Sequence, residues 1–249
     1  MKEVIKGNVV SEEIKLEMCE SVKEKIYKFS PLAIMIYFPI YSIWFAALEK
    51  INVNVNIIYS PLDSLIPFWE VFVIPYLMWF GYVAVVMIYF MFTSRRDFVR
   101  TGMFLLVGMT ICLIIYTVFP NGIDMKPTEF ARDNFMVDIV KYIYSIDTPT
   151  NVLPSIHCLN SIGIHIGIMK SKKLSGSKFV RTASAIMAVS ICLSTVFIKQ
   201  HSILDMFAAI ALSIPLYYIS YVFDWNKVLI KFMKRKVIKE CVNSKGNPM

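Results

Sequence analysis

Leu65–Phe92 reads LIPFWEVFVIPYLMWFGYVAVVMIYFMF, and Glu70 is its only charge. A helix needs about 20 mostly apolar residues to cross a bilayer, and this run exceeds that length. In lipid its backbone groups must pair within the segment, which makes the run a helix. Outward from it, five further stretches of the same character fall at residues 30–48, 101–119, 155–174, 179–198 and 203–223. Apolar residues make up 57% of the 249-residue chain, above the share in soluble domains. The expected fold class is all-α: a polytopic membrane protein whose residues 30–223 form a six-transmembrane-helix bundle. Residues 1–29 are expected as a cytoplasmic amphipathic segment and 224–249 as a basic cytoplasmic tail.

Charge sets the orientation. Lys50, Lys126, Arg132, Lys141 and Lys199 occupy one set of alternating connections, and the rest of the 26 Lys and Arg crowd residues 2–28, 95–100, 170–181 and 227–245. The positive-inside rule then puts both termini in the cytoplasm, and the plasma membrane is the expected location. The net charge of +8 reads as a topology signal with added attraction to anionic lipid heads. No basic stripe interleaves with exposed aromatics, so nucleic acid is not an expected partner. The first 28 residues lack the short apolar core and small-residue cleavage site of a signal peptide. Ile14, Met18, Val22 and Ile26 recur at four-residue steps, as on an amphipathic helix that either lies on the membrane or is solvated. Cys19, Cys112, Cys158, Cys192 and Cys241 show no C-x-x-C spacing and indicate neither a disulfide framework nor a zinc site.

Three connections are expected on the external side. Residues 49–64 are rich in asparagine, and Ser60-Pro61-Leu62-Asp63 reads as a turn. Residues 120–154 open at Phe119-Pro120-Asn121-Gly122 and take up a helical pattern from Glu129 through Ile143. Met136, Val140, Ile143 and Tyr144 share one apolar face there, giving an external surface helix over the bundle mouth, as a lid or as plain packing. Phe197-Ile198-Lys199-Gln200-His201 is too short for a separate loop, so the last two spans form a hairpin.

Two polar motifs stand at span ends on that side. His201 and Asp205 are four apart, which places them on one helix face. A carboxylate that accepts from one imidazole nitrogen fixes the tautomer and leaves the other nitrogen as base or nucleophile. Interhelical polar glue is the alternative use of such a pair, but ionisable groups inside a membrane are expensive and mark functional sites. Pro154-Ser155-Ile156-His157 begins the span at 155–174, where unpaired N–H groups and the positive helix end favour an anion. Ser155 is expected to cap that helix and to touch a phosphate oxygen. Topology sends His157 and His201 to one membrane face. His165 reads as a neutral histidine hydrogen-bonded between helices. Glu70 wants a cation, with Lys199 or Lys126 the candidates, or else contacts a substrate head group. Trp44, Trp69, Trp79 and Trp225 need only lipid packing and interface anchoring.

Asn151-Val152-Leu153-Pro154-Ser155-Ile156-His157 and Ser194-Thr195-Val196-Phe197-Ile198-Lys199-Gln200-His201, ending at Asp205, resemble two signatures of the type 2 phosphatidic acid phosphatase superfamily. Those signatures are P-S-G-H and S-R-x5-H-x3-D; the first of the family's three is K-x6-R-P. With Asp147-Thr148-Pro149 preceding, the pattern is most similar to the branch of inositol phosphorylceramide and sphingomyelin synthases. The resemblance covers about residues 65–222. Ile156 stands in place of the glycine and Thr195 in place of the third-signature arginine, while Phe119 and Lys126-Pro127 fall where the first signature has Lys and Arg-Pro.

The resemblance implies metal-independent phosphoryl transfer without a cofactor. His201 attacks phosphorus, Asp205 orients and stabilises its imidazole, and His157 protonates the leaving oxygen. Lys126, Lys199 and Ser155 are the implied phosphate-binding residues, with Arg132 an alternative cation. The implied partners are a lipid phosphate substrate and membrane lipids, and the implied activity is hydrolysis of an amphiphilic phosphate ester or pyrophosphate at the external face. Transfer of a phosphorylated head group to a lipid alcohol, and a non-catalytic lipid-binding or transport relative, stay open.

Overall fold

The computed structural model describes residue 32, residues 36–50 and residues 55–223. The expected amphipathic segment 1–29 and the tail 224–249 lie outside the described residues. Contacts divide the chain into a unit of residues 33–221, which is mostly helical, and a unit of 1–32 with 222–249.

Among the described residues four helices are long and apolar enough to cross a membrane, over Glu70–Thr93, Arg95–Val118, Lys178–Phe197 and Ile203–Val222. They coincide with four of the six expected spans. The first expected span, 30–48, is described in part, as a helix over residues 36–50 (α1). Tyr37 on α1 donates to Leu106 O at 3.1 Å, and Trp44 Nε1 donates to Thr117 Oγ1 at 3.2 Å.

The chain then forms a two-residue strand, β1 (Asn56–Ile57), and a short helix, α2 (Pro61–Leu65). The expected turn at Ser60–Asp63 is thus the capped first turn of a helix. Ser60 accepts from Leu62 N while Asp63 accepts from Ser60 N, a reciprocal box that supplies two of the donors a helix start leaves unpaired. A 3-10 turn, Glu70–Phe72, leads into α3 (Val73–Thr93), so Leu65–Trp69 stand outside the span that the sequence began at 65. Ser94 caps α4 (Arg95–Val118), and Arg95, Arg96 and Arg100 lie in its first turns rather than in a loop.

Beyond α4, β2 (Asn121–Gly122) pairs in parallel with β1. Helix α5 is Phe135–Ile146, six residues later than the pattern from Glu129 indicated. Asn134 sets that start, because its side chain accepts from Met136 N and Val137 N. Its buried residues are Val137, Val140 and Ile143, of which Val140 and Ile143 pack with Val73, Tyr76 and Ile198.

Helix α6 (Ile156–Lys170) has 15 residues, about 22 Å at the helical rise. It is shorter than the span expected at 155–174, since Ser155 starts it and Ser171 ends it. It packs against α3, α4, α7 (Lys178–Phe197) and α8 (Ile203–Tyr217). Close approach to α4 depends on small residues: a Cβ on Gly163 would lie 2.6 Å from Phe104 Cε1, and one on Gly167 2.6 Å from Thr101 Oγ1. Helix α8 holds Pro215 and runs into a π turn at Tyr218–Val222, consistent with the N–H that proline removes.

Candidate functional site

The site is built where the ends of α6, α7 and α8 meet. Helix α7 ends at Phe197, and the five residues to Ile203 make the tight junction read from the sequence. Gln200 N donates to Thr195 O at 2.9 Å and Lys199 N to Val196 O at 3.1 Å, the paired bonds of a Schellman motif. Lys199 takes the left-handed position of that motif at φ 54, where glycine is usual. A non-glycine residue there costs on the order of 1 kcal/mol. Two bonds offset the strain: Lys199 Nζ donates to Asp63 O at 2.8 Å and to Ile66 O at 2.6 Å, tying the junction to α2.

His201 follows, with its N–H on Thr195 O at 3.0 Å. Its Nδ1 lies 3.1 Å from Asp205 Oδ2, and the same oxygen accepts from Ser202 N at 2.9 Å. The imidazole and carboxylate therefore meet as expected, though not on one helix face, because His201 precedes the Ser202 cap of α8. Ser202 caps α8, and Asp205 closes its capping box. His201 is 7% exposed and Asp205 0%. Burial works against the charged imidazole, but the hydrogen bond and charge of Asp205 more than offset it, so the His201 pKa stands above the ordinary histidine value.

Helix α6 is tethered to this junction by its own cap. Ser155 N donates to Asp205 O at 3.2 Å, and Ser155 Oγ accepts from Cys158 N at 3.5 Å. Ser155 is the expected cap. The segment before it is held by Asn121, whose Oδ1 accepts from Val152 N at 2.9 Å and Leu153 N at 2.8 Å, and by Tyr116, whose hydroxyl donates to Pro154 O. His157 then meets His201 edge to face, with ring centroids 5.9 Å apart. Tyr76 and Trp79 of α3 lie against the His157 ring at 4.7 Å and 4.4 Å between centroids. Two histidines and one carboxylate from separate motifs thus converge.

The two candidate lysines are held by backbone carbonyls. Lys126 Nζ donates to Asp147 O at 2.7 Å and lies 4.9 Å from the Tyr144 ring centroid. An ammonium has three donors, so that contact leaves two for other partners; the two bonds of Lys199 leave it one. Burial lowers the pKa of both lysines. Burial also raises that of Asp147, with the charges of Lys126 and His201 opposing. Arg132 is engaged elsewhere: its Nη1 pairs with Glu70 Oε1 at 3.0 Å, and Asn134 Nδ2 donates to the same oxygen at 3.1 Å. The cation for Glu70 is therefore Arg132, in place of Lys199 or Lys126, because α5 brings residues 132–134 to the start of α3. Thr195, at the place of the signature arginine, is fully buried and supplies backbone acceptors to the junction. His165 Nδ1 lies 2.9 Å from Ser184 Oγ, which also meets Tyr82 at 2.6 Å, so it joins α6, α7 and α3.

Sequence reasoning missed Asp63 and Asn121. Asp63 is 2% exposed and accepts from Ser202 Oγ at 2.6 Å and Ile203 N at 2.8 Å. The turn signature at Ser60–Asp63 located its helix without indicating that α8 would be its partner. Among the described residues, no group of three His, Cys, Asp or Glu gathers as a metal site. Comparison of the chain with protein-family models, with characterised proteins and with solved structures found no match.

Proposed function

We propose that the protein is an integral-membrane lipid phosphatase that works through a phosphohistidine on His201. The reading rests on one observation: the His201 and His157 rings meet edge to face with centroids 5.9 Å apart, while Asp205 lies on Nδ1 of His201. With Nδ1–H donating to the carboxylate, Nε2 carries the lone pair that attacks phosphorus. In-line transfer needs about 3 Å from Nε2 to phosphorus and about 3 Å from the leaving oxygen to its proton donor, which the two histidines are assigned to supply. His157 gives its proton to the leaving alcohol and later takes one from water, which releases phosphate and restores His201. Lys126, Lys199 and Ser155 together with the positive end of α6 stabilise the equatorial oxygens. Helices α1 and α6 complete a six-span bundle, with α5 and the histidine pair at the external face. The resemblance of the two histidine motifs to the type 2 phosphatidic acid phosphatases supports the same chemistry.

The test uses purified protein in detergent with lipid phosphates and pyrophosphates, with chelator present and with water or an alcohol as acceptor. Phosphate release in chelator is expected, with an acid-labile phosphoenzyme that His201→Ala abolishes. His157→Ala is expected to spare aryl phosphates, whose leaving groups need no proton, and to lose lipid phosphates. A phosphoenzyme that persists in His201→Ala, or strict dependence on added magnesium, refutes the mechanism.

A further inference from the structure

We propose that Asp63, which lies outside both histidine motifs, is a positioning residue for the His201 imidazole. The proposal deepens the phosphohistidine reading and rests on it for its kinetic arm. Asp63 belongs to the short helix α2 and is buried. Its carboxylate accepts three hydrogen bonds: Ser60 N at 2.8 Å and Ser202 Oγ at 2.6 Å on Oδ2, and Ile203 N at 2.8 Å on Oδ1. The first closes the capping box of α2. The other two reach across the fold to the start of α8, so one carboxylate serves two helix N-termini.

Ser202 carries the effect to the site. Its hydroxyl donates to Asp63 and its N–H donates to Asp205 Oδ2, the oxygen that lies on His201 Nδ1. Among the described residues Asp205 Oδ1 has no hydrogen-bond partner, so the contacts at Oδ2 hold the carboxylate plane. If Ser202 turns, that plane turns with it and the imidazole loses its aligned acceptor. Lys199, one residue before Gln200 and two before His201, is fixed from the same side through Asp63 O and Ile66 O. An amide at position 63 cannot serve all three donors in either orientation: with its oxygen on Ile203 N its NH2 meets Ser60 N–H, and turned over its NH2 meets Ile203 N–H, donor against donor.

The chain has three histidines, so their titration can be followed in 15N-histidine-labelled protein in micelles. In Asp63→Asn the His201 midpoint is expected to fall by about half a unit or more toward the ordinary value. With a lipid phosphate, kcat is expected to drop about tenfold or more, with KM within about twofold, because a misplaced group costs rate more than binding. Ser202→Ala removes only the hydroxyl link and is expected to move the midpoint the same way, which covers an Asp63→Asn chain that fails to fold. Ser60→Ala removes the Leu62 N cap of α2 but leaves both α8 bonds, and is expected to keep the wild-type midpoint and kcat. An unchanged His201 midpoint in folded Asp63→Asn or Ser202→Ala, with only thermal stability reduced, overturns the proposal and leaves Asp63 as a staple. If the wild-type protein hydrolyses no lipid phosphate while the midpoint still shifts, the phosphatase reading fails and the positioning role stands.

Discussion

Replacing Asp205 by asparagine tests the electrostatics of the site while keeping its shape. Asp205 is fully buried, and one oxygen takes both the His201 and Ser202 donors. If the amide oxygen takes that place, both bonds survive without charge. A hydrogen bond to a charged group contributes about 1.5–3 kcal/mol against about 0.5–1.5 for a neutral one, so the loss is about 1–1.5 kcal/mol, or about one pKa unit on His201. If the NH2 group turns toward His201 instead, the proton is forced onto Nε2 and the nucleophile is lost. Both arrangements lower kcat, by at least about tenfold at neutral pH. The sign with pH follows from the shift. Burial lowers the His201 pKa and Asp205 more than offsets it, so the wild-type acid limb of kcat/KM should lie above about pH 6.5. In Asp205→Asn burial is opposed only by weaker charges such as Asp147, and the limb should move to lower pH as the plateau falls. Stability follows the same group: the contribution of protonated His201 is complete below about pH 6.5 and is lost as pH rises through its folded pKa, and the variant should flatten that slope. The assay is a pH series on aryl and lipid phosphates with thermal unfolding alongside. An acid limb that stays in place, or kcat within about twofold of wild type, refutes the assigned role.

Two further outcomes test the bundle. Gly163→Val adds atoms where a Cβ already meets Phe104 Cε1 at 2.6 Å and Leu105 Cδ2 at 3.2 Å, and should cost about 1–3 kcal/mol in thermal unfolding; Gly81→Val, with nothing within 4 Å, should cost far less. Single cysteines at positions 2 and 245 in a cysteine-free background should react with impermeant reagents only from the cytoplasmic side, and one at 130 only from outside; the reverse pattern overturns the orientation drawn from Lys and Arg.

The sequence carries those parts of the fold that local chemistry decides. Four long spans, the short 198–202 junction and the Ser155 cap are visible because hydropathy, chain length and side-chain oxygen act over a few residues. The four-residue spacing of His201 and Asp205 marks the pair, but His201 lies before the Ser202 cap, outside α8, so the contact is made by the capped helix start and not by one helix face. Helix α6 is different. Hydropathy reads 155–174 as one more span, whereas the helix stops at Lys170. The signal available was Gly163 and Gly167 four apart, with Asn160 and Ser161 buried beside them, a small-residue face suited to close helix contact. Glu70 shows the other limit. A buried carboxylate requires a donor, but whether Lys199, Lys126 or Arg132 supplies it depends on where α5 packs, which periodicity does not encode. Asp63 lies 139 residues from Ser202, so its contact is tertiary throughout.

The site and the helix ends share their bonds. Ser155 N–H, a donor at the start of α6, is satisfied by the backbone oxygen of Asp205, and the carboxylate that holds His201 also completes the capping box of α8. Each unpaired N–H at a buried helix start would cost about 1–3 kcal/mol, so the bonds that keep the helix ends stable also hold the two histidines at their separation. A substitution at Ser155, Ser202 or Asp205 therefore acts on packing and on the imidazole geometry together. Stability data alone cannot distinguish a cap from a site residue at these positions. The His201 titration can, because a cap that only closes a helix leaves that midpoint where Asp205 sets it.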